Sequence, residues 1–91
     1  MSLEEKNYYR IIIAPFSSER IFELIESQNK LAFIVARKAN KATIKQAIEK
    51  LYNVKVVKIN TMITPKGKKK AIVKLHPTNN AVDLATALGL M

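Results

Sequence analysis

NKATIKQAIEKLYNVKVVKINTMITPKGKKKAIVKL, residues 40 to 75, carries one helical period followed by two extended ones. Ile44, Ala47, Ile48, Leu51 and Tyr52 recur at i, i+3, i+4, i+7 and i+8, the spacing of a helix with a single buried stripe. A helix is therefore predicted over Lys41 to Tyr52. Asn40 can cap it toward Thr43, and Thr43 with Gln46 offers a second capping box one turn later. Lys41, Lys45 and Lys50 are left on or near its polar side.

Two extended segments follow, Val54 to Thr64 and Lys68 to Leu75. They are joined by Pro65, Lys66 and Gly67, a proline suited to the first turn position and a glycine free to take positive φ, which together predict a β-hairpin. Strand alternation then sorts the side chains. Val57, Ile59, Thr61 and Ile63 share one side of the first strand, and Ala71, Val73 and Leu75 one side of the second. Lys58, Asn60 and Met62 point the other way, as do Lys70, Ile72 and Lys74. Val54 and Val56 fall on the polar parity, so a bulge or partial cover is expected near Val56.

Working upstream, Leu31 to Ala36 is apolar at every position, which at this length predicts a central strand with no register legible from alternation. Before it, Ser17 or Ser18 can cap a helix with Glu19 at the positive end of its dipole. Ile21, Phe22, Leu24 and Ile25 form the stripe of that helix, and Gln28 and Asn29 end it. With Ser17 as the cap, Phe16 and Ile21 would occupy the staple positions. Arg10 to Ala14 is β-branched and stopped by Pro15, as a short strand would be. Downstream, Asn80 caps a last helix with Asp83 near its start, Leu84, Ala85 and Leu88 inward, and Gly89 at its end with Leu90 folding back. The predicted order is β-α-β-α-β-β-α, an α+β fold in one domain over residues 1–91 with its core at about 10–90.

Ninety-one residues suffice for one core and hardly for two. A hydrophobic content of 48% argues against disorder despite the charge. Cysteine is absent, which removes disulfides and thiolate metal sites. The longest apolar run, Leu31 to Ala36, is too short to cross a bilayer, and Met1 to Asn7 lacks the apolar core of a secretory signal. The expectation is a soluble intracellular protein with no membrane insertion.

Charge points to the partner. Thirteen of the sixteen Lys and Arg residues lie between Lys30 and His76, where Glu49 is the only acid, so that segment carries +12 while the flanks are acidic and the whole chain is +9. A surface kept merely soluble mixes both signs; charge confined to one unit marks a face for a polyanion. The candidates for nucleic-acid contact are Arg37, Lys38, Lys41, Lys45, Lys58, Lys66, Lys68, Lys69, Lys70 and Lys74. Asn40, Asn60 and Thr61 could add hydrogen bonds to ribose hydroxyls, although each is also an ordinary cap or strand residue. Lysine outnumbers arginine thirteen to three, which favours phosphate contact and shape recognition of a folded RNA over bidentate base reading.

Other chemistry is poorly supported. Phe33 is the only aromatic inside a clear strand, so no stacking platform for single strands is evident. Tyr52 closes the helical stripe as a core residue, and Tyr8 and Tyr9 read as cover for a sheet edge, with stacking on a partner as the alternative. His76 has no companion ligands and reads as a loop residue. Ser17 or Ser18, His76 and Asp83 could form a triad only on paper, because neither of the two glycines sits at a nucleophile turn or a phosphate loop. Glu19, Glu23 and Glu26 make an acidic stripe on the first predicted helix, either a solvated face or a second surface for a protein. A protein-interaction module presenting Glu19, Phe22 and Glu23 is thus the alternative function; a peripheral membrane binder ranks last, since no exposed apolar face accompanies the lysines.

Asn40 to Thr61 and PKGKKKAIVKL (Pro65 to Leu75) closely resemble the family twenty-three proteins of the large ribosomal subunit, and the likeness covers Ile11 to Leu90. It includes APFSSER (Ala14 to Arg20), where the family commonly has Pro, Ser or Thr, then Glu and a basic residue. The short TPKGKKK turn, in place of the long basic extension of bacterial relatives, with AVDLATALGL (Ala81 to Leu90), resembles the archaeal and eukaryotic branch. The resemblance implies a four-stranded, largely antiparallel sheet with packed helices, bound to large-subunit rRNA beside the peptide exit tunnel. It implies no catalysis and no cofactor. It further implies a neighbour in the ribosomal protein of family twenty-nine and a docking site for signal recognition particle or nascent-chain chaperones, at Ser18, Glu19, Phe22 and Glu23, with the family's docking acid falling on Glu19. The short turn speaks against a role lining the tunnel interior.

Overall fold

Hydrophobic alternation in the hairpin and the continuous run before it build one antiparallel sheet. In the computed structural model, which describes residues 3–90, its strands are Ile12–Phe16 (β1), Lys30–Val35 (β2), Val56–Ile63 (β3) and Lys69–Leu75 (β4), in the order β1-β2-β4-β3. The helices are Leu3–Ile11 (α1), Glu19–Gln28 (α2), Lys41–Tyr52 (α3) and Ala81–Ala87 (α4). The expected order β-α-β-α-β-β-α is present, preceded by one further helix. As its apolar run requires, β2 is central, and Leu31, Ala32, Phe33 and Val35 are all buried.

Helices cover both faces of the sheet. On one, Leu31, Phe33, Val35, Ile59, Ala71, Val73 and Leu75 are buried beneath α3, whose Tyr52 stacks on Phe33 with ring centroids 5.6 Å apart. On the other, Ile21 and Leu24 of α2 share a groove with Phe16, Asn60, Met62, Lys70 and Ile72. Since α2 lies to one side, the hairpin half of that face stays open. The helix α4 buries Ala81 and Ala85 beside α2 and β2 and ends in a Schellman motif, Leu90 N–H donating to Ala85 O and Gly89 N–H to Thr86 O, with Gly89 at φ +79°.

Three local expectations change. Arg10 and Ile11 end α1 rather than begin a strand, because Tyr8 and Ile11 pack on the core and α1 lies along α3; tertiary contact stabilises a helix too short to stand alone. Tyr9 is the exposed member of the tyrosine pair. Pro15 does not stop β1, which continues to Phe16, because β1 is an edge strand and a missing N–H costs nothing on its open side. Val57 and Ile63, expected inward, are exposed at 55% and 52%. The expected bulge lies between Val56 and Lys58; it turns Val56 into the core and Val57 out of it.

Caps settle the alternatives left open by the sequence. Ser18, not Ser17, accepts from the Ile21 N–H, so Phe16 and Ile21 do not form a staple. Asn40 caps α3 by accepting from the Thr43 N–H at 2.8 Å. Asn29 and Asn53, which end α2 and α3, take the left-handed conformation that asparagine tolerates best among residues with a side chain.

Candidate nucleic-acid interface

Strand pairing places the hairpin lysines in rows. On the open face, Lys30, Lys74 and Lys58 stand opposite one another across β2, β4 and β3. The next rows are Ala32, Ile72 and Asn60, then Ile34, Lys70 and Met62. Directly opposed like charges weaken a ladder, and no acid stands in these rows. Lys30 was not among the sequence candidates, since it opens an otherwise apolar strand. Arg20 was missed too: on α2 it lines the same groove of about 380 Å³ as Lys30, Lys70 and Asn60.

A second group gathers where β2 ends and the hairpin turns. Val35 and Ile63 both pair with Lys69, which brings the loop carrying Arg37 and Lys38, the start of α3 with Asn40 and Lys41, and the turn carrying Lys66 and Lys68 to one end of the sheet. The turn is rigid. Gly67 N–H donates to Thr64 O, Lys68 N–H to Thr64 Oγ1 and Thr64 N–H to Lys68 O, with Gly67 at φ +84°. Lys45 lies exposed one turn further along α3.

Not every basic-segment residue is free for a partner. Lys69 donates from Nζ to Ala39 O at 2.5 Å and to Arg37 O at 3.4 Å, holding the loop before α3. The Asn40 side chain is engaged as a cap, and Thr61 is half-buried on the α3 side of the sheet. Glu49, the one acid of the basic segment, accepts from the Val56 N–H at 3.0 Å and so ties α3 to the bulged start of β3. Nothing in the sequence distinguished Lys69 or Glu49 from their solvated neighbours.

The remaining candidates fall elsewhere. Glu19 and Glu23 are exposed on α2, with Ser18 and Phe22 half-buried beside them. His76 Nδ1 accepts from the Thr78 N–H at 3.1 Å, an ordinary turn contact. Among the described residues no group of three His, Cys, Asp or Glu could hold a metal ion, and no helix is long and apolar enough to cross a membrane.

Fold and surface together define a small basic domain with helices on both faces of a four-stranded antiparallel sheet. Residues 10–83 match the family described as ribosomal protein L23, and the chain belongs to that family. It is similar to the large ribosomal subunit proteins uL23A and uL23B of Schizosaccharomyces pombe, 51% identical to each over 83 residues, or 91% of this chain and 59% of each relative. The chain thus matches less than two thirds of the length of those relatives. Their eukaryotic source agrees with the branch indicated by the short hairpin turn.

Proposed function

We propose that the chain is a structural, non-catalytic component of the large ribosomal subunit, held to large-subunit rRNA near the peptide exit tunnel in the cytoplasm. The observation that carries this is the row Lys30, Lys74 and Lys58, continued by Lys70 toward Arg37, Lys38, Lys41, Lys66 and Lys68 at the turn. Such a surface is electrostatically unfavourable alone and is relieved by phosphates that converge on it. Lys45 and Asn60 border it. Names of the related proteins point the same way. If about six to ten phosphates are contacted, affinity for deproteinised large-subunit rRNA falls by about three to five orders of magnitude between 50 and 200 mM salt. A flat salt response would refute the proposal.

A second surface is proposed on α2. Glu19, Glu23 and Glu26 are all exposed while Ile21, Leu24 and Ile25 are buried, so the helix offers solvent an acidic face, of which Glu26 borders the same cavity as Lys74. Family resemblance supports Ser18, Glu19, Phe22 and Glu23 as a docking site beside the family twenty-nine neighbour for signal recognition particle or nascent-chain chaperones. Glu19→Lys is expected to abolish factor co-sedimentation with ribosomes while rRNA affinity stays unchanged. Undiminished factor binding would remove α2 from that role.

A further inference from the structure

Between the edge strand β1 and the hairpin turn lies a recess of about 430 Å³, lined by Phe16, Ile34, Pro65 and Thr64 with Lys66 and Lys68 at its sides. Phe16 also lines the groove beneath α2, so its ring stands between the two cavities. Lys70 Nζ sits 4.7 Å from the centroid of that ring. Phe16 is half-buried against the core and is not held in a staple with Ile21, since Ser18 rather than Ser17 caps α2. The recess combines an apolar floor with the ammonium groups of Lys66 and Lys68, Lys70 lies beside it over the Phe16 ring, and no acid lines it.

Phosphate contact alone gives no use for an apolar floor. An unpaired nucleotide uses both parts: its base is planar and apolar on its faces, and its backbone is anionic. We propose that this recess takes one extruded nucleobase of the bound RNA, seated against Phe16, Ile34 and Pro65, while Lys66, Lys68 and Lys70 hold its flanking phosphates. This rests on the RNA-binding function proposed above and adds to it a subsite for an unpaired base. The hydrogen-bonded turn supports it, since the bonds of Thr64, Gly67 and Lys68 fix the backbone that places Pro65 at the recess.

An RNA hairpin with one unpaired uridine tests this against the same hairpin lacking the bulge, by fluorescence anisotropy at equal salt. Stacking of one base on an aromatic ring predicts that the bulged hairpin binds about tenfold tighter. Phe16→Leu is expected to erase that preference while leaving affinity for the unbulged hairpin unchanged. With 5-bromouridine at the bulge, ultraviolet crosslinking of the unaltered protein is expected at Phe16, which decides the matter even if Phe16→Leu fails to fold. Equal affinity for both hairpins, or crosslinks confined to residues outside the recess, would overturn the base subsite and leave RNA binding standing. Failure to bind either hairpin at low salt would overturn RNA binding itself. Tighter binding of an acidic peptide bearing one phenylalanine than of either RNA would assign the recess to protein and overturn the proposal.

Discussion

The asparagine cluster beside β4 and the lysine rows on it are both polar, yet they dispose of their polar groups in opposite ways. Asn29 Oδ1 accepts from the Ala81 N–H at 2.7 Å, and its Nδ2 donates to Asn79 O at 2.8 Å and Leu75 O at 3.3 Å. Asn79 Oδ1 accepts from Lys55 N–H and Asn80 Oδ1 from Val82 N–H, each at 2.8 Å. These side chains complete the chain's own backbone. Lys58 and Lys74 are instead exposed and set opposite like charges. Internally satisfied polarity marks what the fold needs, and unrelieved like charge marks what a partner supplies.

Exchanging the two roles gives the largest expected effect. Asn29→Ala removes these bonds and the residue type that tolerates left-handed backbone, a loss of about 2–4 kcal/mol from net hydrogen-bond values near 1 kcal/mol each and the left-handed penalty. For a domain of this size that lowers Tm by about 10–20 °C, while the folded fraction keeps its RNA affinity. Lys58→Gln with Lys74→Gln, by contrast, is expected to leave Tm unchanged or slightly raised and to reduce the logarithmic salt slope by about 2, since each phosphate left without its lysine lowers that slope by about 1. A lysine pair that lowers Tm, or an Asn29→Ala protein that folds normally but loses RNA, would break the comparison.

The asymmetry was half legible in sequence. Period and alternation revealed α3, the hairpin and the lysine face, because these depend on side-chain spacing within one segment. Partners remote in sequence were not legible. Asn29 was recognisable as a helix terminator but not as the residue that binds segment 75–81, some fifty positions away. Lys69 and Glu49 look like surface charges until the loop before α3 and the bulge in β3 bring backbone groups to them. Phe16 turned on which of two adjacent serines caps α2, a choice of one residue that moves an aromatic ring from a local staple to the wall of a cavity. Lys30 entered the basic face only through its cross-strand register, which a wholly apolar strand does not announce.

The smallest effect concerns Tyr52, on the covered side of the sheet. Burial, and after it the neighbouring Tyr9, raises the Tyr52 phenol above the ordinary tyrosine value near 10. The folded state therefore holds this proton more tightly than the unfolded chain. The resulting stability is fully present below the unfolded value and is lost as pH rises through the higher folded one. Tyr52→Phe keeps the stack on Phe33 and removes the titration. Its stability is expected to decline less steeply than that of the unaltered protein above about pH 10, measured by urea unfolding at each pH; lysine titration is common to both and cancels. Parallel declines would show that the phenol ionises equally well in both states. A divergence would show the covered face resisting even one charge, a hydrophobic layer's width from the open face that carries the lysine rows.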